Sequence, residues 1–145
     1  MLVERARVAD IPAIEALLRS ADLPLEGAAA AFASGVVARD DGQIVGAAAI
    51  EPFGRAGLLR SVVVAPDRRG SGVGRAVVTA AETLARDLDM TELYLLTESA
   101  EAWFPRLGYH PIDRTAVPAA VRESIEFTTL CVDTGVAMRR DLPGA

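Results

Sequence analysis

Apolar residues recur along this chain with a period of two in some stretches and of about 3.6 in others, and the switches outline its elements. Leu2 to Ala6 alternates as a first strand. Asp10 stands as an N-cap before Ile11-Pro12, and Ile11, Ile14, Leu17 and Leu18 share one face of a helix of about three turns. Leu25 to Phe32 reads as a short alanine-rich helix ending near Gly35. Val36 to Arg39 and Gln43 to Ile50 read as two strands joined by a hairpin turn at Asp40-Asp41-Gly42. The tract Gly46-Ala47-Ala48-Ala49 favours helix by propensity, but the hairpin demands a strand there.

Leu58 to Ala65 is nearly continuous in apolar residues, so this strand is expected to be covered on both faces. A long helix follows from Val73 to Leu88, with Val77, Val78, Ala81, Leu84, Ala85 and Leu88 as its stripe. Leu93 to Leu96 is a buried parallel strand, and Ser99 is placed to cap a helix running to Leu107 and stopping at Gly108, tightened at Pro105. Phe127 to Cys131 and Val136 to Arg139 are the last strand candidates.

The most informative stretch lies between the apolar strand and the long helix: Pro66-Asp-Arg-Arg-Gly-Ser-Gly-Val-Gly-Arg75. Glycines at alternate positions allow positive φ and close approach of a ligand to the backbone. The first N–H groups of the helix have no intrahelical partner and lie at the positive end of its dipole, which suits a phosphate. Arg68, Arg69 and Arg75 surround the turn with cations. A nucleotide-triphosphate P-loop requires a lysine after its last glycine, and the chain contains no lysine. A dinucleotide fingerprint places its first glycine directly after the strand, whereas Pro66-Asp67-Arg68-Arg69 intervenes here.

What the stretch resembles is the acetyl-coenzyme A signature of the GNAT superfamily of N-acetyltransferases. The resemblance is carried by Arg69-x-x-Gly72-x-Gly74, with Val62-Val63-Val64-Ala65-Pro66 before it and an amphipathic helix after it. Glu101 to Tyr109 resembles the helix-to-strand corner of these enzymes, with Phe104 where a tyrosine is usual. Leu59 to Ser61 and the stretch from Glu126 to Met138 look most like the small acetyltransferases of arsenic-resistance operons, relatives of those that acetylate arsinothricin and phosphinothricin.

The resemblance implies an α/β GNAT fold, with a mixed sheet of about six to seven strands flanked by about four helices. It also implies that two parallel strands splay apart at the cofactor, and that one N-acetyltransferase domain spans residues 1–145. Acetyl-coenzyme A is the implied cofactor. Its pantetheine arm would pair with Val62, Val63 and Val64, and its pyrophosphate would lie over Arg69, Gly70, Ser71, Gly72, Val73, Gly74 and Arg75. The implied reaction is acetyl transfer to a small-molecule amine, with detoxification of a toxic amino-acid analogue as one context. A protein N-terminal or amino-acid acetyltransferase stays open beside it, as does a catalytically degenerate acyl-coenzyme A sensor.

Composition agrees with one compact enzyme. Half the residues (51%) are hydrophobic, yet no run reaches the roughly 20 apolar residues of a membrane span and no secretory leader is visible. A cytoplasmic protein is expected, with no membrane partner. Cys131 is the only cysteine and His110 the only histidine, so no disulfide and no metal site is expected. The net charge of −5 argues against nucleic acid. Against that background Arg55, Arg60, Arg68, Arg69 and Arg75 face a single nearby acid, Asp67, and this basic island suits a polyanionic cofactor. A homodimer is left open.

A protonated amine must lose a proton before it attacks, so a base is needed. Glu51 and Glu98 are candidates near strand ends, and Ser61, Tyr109 or water could return a proton to the leaving thiolate. Arg60 interrupts an apolar strand, and a buried guanidinium requires a partner. It is either an ion pair with Glu51 or a bidentate clamp for the acidic end of the acceptor, on the substrate side with Thr97.

Overall fold

A computed structural model describes residues 1–98, 100–124, 127 and 135–143. Among the described residues seven strands form one sheet: β1 (Leu2–Arg5), β2 (Gly35–Asp40), β3 (Gln43–Phe53), β4 (Ala56–Val64), β5 (Glu92–Thr97), β6 (His110–Pro111) and β7 (Val136–Asp141), in the order β1-β2-β3-β4-β5-β7-β6. Neighbours are antiparallel except β4 and β5. Among the described residues the α-helices are α1 (Ile11–Ser20), α2 (Ala28–Ala31), α3 (Val73–Asp87) and α4 (Ala119–Arg122). The expected mixed α/β architecture is the one found.

The two sheet faces separate by strand parity. Val36, Ala38, Ala48 and Ile50 pack with α3 through Val73, Val77, Val78, Ala81 and Leu84. Val37, Ala47, Ala49 and Val63 pack with α1 and α2 through Ile14, Leu18, Ala28 and Ala31. The Gly46 to Ala49 tract is therefore strand, because β2 and β4 bond it on both edges and helices cover both faces. Its small size is what the packing requires: a Cβ on Gly46 would lie 2.5 Å from Val73 Cγ1, at the start of α3. The β2–β3 hairpin turns through positive φ at Asp41 and Gly42, as a two-residue type I′ loop does.

The constraint that shapes the functional region is in β4. Between the pairs Ala47–Val63 and Ala49–Arg60, β4 carries one residue more than β3. This is a bulge, and Ser61 within it takes φ +56°. On its other edge β4 pairs with β5 at three positions only, Ala56 with Glu92, Gly57 with Leu93 and Leu58 with Tyr94. Beyond Leu58 the two strands part, while β5 stays paired with β7 along its whole length.

Several local expectations change. Asp10 does not cap α1 with its side chain; its carboxylate accepts the Arg7 N–H at 2.8 Å and pairs with Arg39 at 2.6 Å. The helix expected over residues 25–32 shortens to α2 and a 3-10 turn, Phe32–Ser34. In place of a helix up to Leu107 there is a 3-10 turn, Phe104–Leu107, because Pro105 lacks the N–H a longer helix needs; it ends on Gly108 at φ +97°. Ser99 lies outside the described residues, as does the strand candidate at residues 127–131 apart from Phe127, which is buried and helical rather than extended. No helix among the described residues is long and apolar enough to cross a membrane.

The guanidinium of Arg39 holds the buried Asp10 carboxyl below its ordinary value. A folded-state value below the unfolded one adds stability that is present above the ordinary aspartate range and is lost as pH falls through the folded value. Asp10→Asn should therefore lower stability at neutral pH by about 1.5 kcal/mol or more. The deficit should shrink on acidification below about pH 4, where the wild-type carboxylate takes up its proton. Urea melts at pH 7 and pH 3 check both limbs.

Candidate functional site

Where β4 and β5 part, a cleft of about 810 Å³ opens between them. One wall is β4 from Leu59 to Val64 and the other is β5 at Leu95, Leu96 and Thr97. The glycine turn and Arg106 form one end, and Ala21, Leu23 and Pro24, from the α1–α2 link, form the other. An antiparallel partner on one side of β4 uses the backbone groups facing β3. On the β5 side β4 has no strand partner after Leu58, so that edge is open to pairing with an extended ligand.

The turn at the cleft mouth fits a phosphate by its backbone. Gly70 and Gly72 have φ of +80° and +90°, and a Cβ built on either meets nothing within 4 Å. A side chain there would fill the cradle above the turn without touching the protein. Gly72 stands at the N-cap of α3, and no acidic residue lies in the first turn of that helix to neutralise its unpaired N–H groups. The Val73 side chain is buried in the core, which leaves its backbone as the part presented outward. Ser71 donates its hydroxyl to the Arg68 carbonyl and braces the turn rather than lining the cleft.

The cations divide in role. Arg68 is paired with Asp40 at the end of β2, which raises the guanidinium and lowers the carboxyl, and so ties the glycine turn to the β2–β3 hairpin. Arg69 and Arg75 are exposed at the mouth. Arg106 joins them from the 3-10 turn, a position the charge count from Arg55 to Arg75 could not reveal. Gly74 answers a different demand: a Cβ there would sit 3.0 Å from the Trp103 ring. Trp103 lines the cleft and packs edge-on against Phe104 at 4.9 Å.

At the inner part of the cleft lies Arg60, 2% exposed. Its Nη1 pairs with Glu51 Oε1 at 2.9 Å, Nη2 donates to the Glu26 carbonyl at 2.7 Å, and Nε donates to Ser61 Oγ at 3.1 Å. The guanidinium thus joins a strand end, the bulge and the segment before α2. Since the Ser61 oxygen accepts from Arg60, its own proton is left to be given elsewhere. Thr97 lines the opposite wall, and its Oγ1 accepts the Ala100 N–H at 3.0 Å. Glu51 and Ser61 are brought together; Glu98 is exposed and outside the cleft lining.

Tyr109 does not reach the cleft. It is buried behind Phe104, donates to Glu82 Oε2 at 2.8 Å, and burial with that carboxylate pushes its hydroxyl well above the usual tyrosine range. Glu82 also holds Arg140 at 2.7 Å. Ala21, Leu23 and Pro24 were invisible as cleft residues from sequence, because only the folded α1–α2 link brings them to the cavity lined by β4 and β5.

Comparison with known proteins agrees with this geometry. Residues 32–111 match the acetyltransferase (GNAT) domain family. An amino-acid acetyltransferase of Mycobacterium tuberculosis is 33% identical over 97% of this chain and 84% of that protein. An amino-acid acetyltransferase of Ralstonia nicotianae is 35% identical over 50% of this chain, which spans only 17% of that longer protein. A solved Mycobacterium tuberculosis protein in complex with CoA superposes with a TM-score of 0.82 at 26% identity, covering 99% of this chain and all of that one. The N-acetylglutamate synthase of Neisseria gonorrhoeae superposes with a TM-score of 0.85 at 20% identity, covering 98% of this chain and 35% of that one, a likeness of fold. With the glycine turn, the parted strands and these matches together, the chain belongs to the GNAT family of acetyl-coenzyme A-dependent acetyltransferases.

Proposed function

We propose that this protein transfers an acetyl group to the α-amino group of a free amino acid, with a preference for an acidic one. The carrying observation is a single cleft that runs from the phosphate-fitting turn to a buried arginine. Relatives named amino-acid acetyltransferase support the acceptor class, and a similar fold solved with N-acetyl-glutamate supports its acidic character. Phosphinic and arsinic analogues of an acidic amino acid share that charge and size, but none of these relatives carries such a substrate in its name.

The cofactor, held by the backbone of Val62 to Val64 and by Arg69 to Arg75, supplies an acetyl group activated as a thioester. The edge of β4 that has no strand partner after Leu58 faces the cleft, where its amide groups would polarise a carbonyl oxygen. Arg60 provides the positive charge for an acceptor carboxylate and fixes Glu51 and Ser61. Glu51 removes the proton of the amine through water, since its carboxylate stands behind Arg60 rather than in the cleft wall. Ser61 offers the hydroxyl proton, and Thr97 shapes the opposite wall. Glu98, exposed and remote from the lining, has no part in this scheme.

Incubation with acetyl-coenzyme A and a panel of free amino acids, with their phosphinic and arsinic analogues, should release thiol fastest with an acidic α-amino acid. Silence across all free amino acids, with turnover on peptide N-termini, would overturn the acceptor assignment.

Gly72→Val should abolish coenzyme A binding in calorimetry. Gly54→Val serves as its control: Gly54 also has positive φ (+70°) with open space around it, but lies in the β3–β4 turn. Both variants should lose stability comparably, because a β-branched residue is strained at positive φ. Equal binding by the two would reject the cradle.

Arg60→Lys keeps the charge but loses the planar fork. Breaking the bonds to Ser61 and the Glu26 carbonyl should lower the melting temperature. It should also reduce kcat/KM for an acidic acceptor by the equivalent of about 1.5–3 kcal/mol, with a smaller loss for a neutral one. Equal losses for both acceptors would confine Arg60 to holding the fold.

A further inference from the structure

A second recess, of about 290 Å³, adjoins the cleft mouth and shares Arg75, Arg106 and Leu107 with it. Its floor is one face of α3, since Arg75, Thr79, Glu82 and Arg86 follow one another at helical spacings of four, three and four. Arg106 and Arg140 close it from the 3-10 turn and from β7. Four guanidinium groups thus meet one carboxylate, Glu82, whose charge is already shared between Arg140 and the Tyr109 hydroxyl. Arg86 makes a single weak contact there, from Nη2 to the Thr83 hydroxyl at 3.2 Å.

Such an excess of like charge in a concave space is costly unless an anion of more than one charge enters it. Acetyl transfer does not call for it, because the acceptor end of the cleft lies at Arg60, beyond the glycine turn. Coenzyme A has a fitting anion. Outward from the pyrophosphate it continues into an adenosine whose ribose bears a 3′-phosphate monoester, of about −1.5 to −2 charge at neutral pH. With a pyrophosphate over the start of α3, a nucleoside continuing outward would have this recess beside it, since the recess shares Arg75, Arg106 and Leu107 with the cleft mouth. Arg86 is three turns further along α3, and an arginine on a helix leans back toward the N-terminus, which brings its head into the recess.

We propose that this recess binds the 3′-phosphate of coenzyme A and that Arg86 determines selectivity for the phosphorylated cofactor. The proposal rests on the pyrophosphate lying at the glycine turn. Calorimetry with coenzyme A and with 3′-dephospho-coenzyme A, on wild type and on Arg86→Ala, tests it. Wild type should bind coenzyme A about ten- to a hundredfold more tightly, the worth of one or two charge-assisted hydrogen bonds. Arg86→Ala should lose most of that difference while binding 3′-dephospho-coenzyme A within about twofold of wild type, with little change in melting temperature, because Arg86 is half-buried and bonds only weakly, to the Thr83 hydroxyl. Equal affinity of wild type for the two ligands would overturn the proposal, as would a variant weakened toward both alike. If wild type binds neither, the cofactor site at the glycine turn falls, and the recess with it.

Discussion

Everything functional in this molecule depends on the parting of β4 from β5 after Leu58. A parallel pair continued to the strand ends would have satisfied its backbone groups internally and left no room between the two strands. The bulge at Ser61 bends β4 while keeping it bonded to β3, so the cost of parting is confined to one edge. β5 meanwhile is held on its far side by all six of its pairings with β7. The sheet therefore remains continuous as a scaffold and open as a site. The glycine turn lies immediately beyond the carboxyl end of β4, where crevices in open α/β sheets bind ligands.

The second determinant is how charge is held. The chain is acidic overall, and its arginines are sorted by what neutralises them. Arg68 is given to Asp40, Arg39 to Glu4 and Asp10, and Arg139 to Glu92 and Asp141. Arg69, Arg75, Arg86 and Arg106 have no carboxylate partner among the described ion pairs and lie together around the cleft mouth and its adjoining recess, whereas Arg5, Arg19, Arg55 and Arg122, which also lack one there, line neither cavity. Four such cations gathered around one opening concentrate positive potential where a polyanion would dock, on a chain of net charge −5. Arg60 is the contrary case. A guanidinium that is nearly fully buried must recover its hydration energy from protein groups, and Glu51, Ser61 and the Glu26 carbonyl supply them.

The glycine turn, the hairpin at Asp41-Gly42 and the stripe of α3 from Val77 to Ala85 were legible in sequence because each is written in residues close together, whereas Leu88, expected to extend that stripe, lies past the helix end and is exposed. The overruled helix propensity of Gly46 to Ala49 was legible for the same reason, from the neighbouring hairpin. Features decided across the fold were not. Gly74 looked like part of a phosphate cradle, yet the group pressing on it is Trp103, nearly thirty residues away. Asp10 occupies a cap position, but the strength of a guanidinium partner on β2 outweighs a cap bond. The arsenical context inferred from short C-terminal stretches came partly from residues 128–134, outside the described structure. The relatives carry names of amino-acid acetyltransferases instead.

Proton handling follows from which hydroxyls can reach the cleft. Phe104 occupies the position where a family tyrosine is usual, and its ring forms part of the cleft wall. The nearby Tyr109 does not replace it: its hydroxyl is spent on Glu82, and its raised pKa reflects a proton held more firmly, behind an aromatic wall. A thiol with a pKa near the cysteine value of about 8.5 leaves as an anion at neutral pH far more readily than an alkoxide, so the loss of a dedicated acid there is tolerable. The demand shifts to the amine, which must shed a proton before it attacks. Beside the parted strands the fold gathers Ser61 and Glu51, both bonded to Arg60. The same bulge that opens the cleft therefore also turns the serine into it.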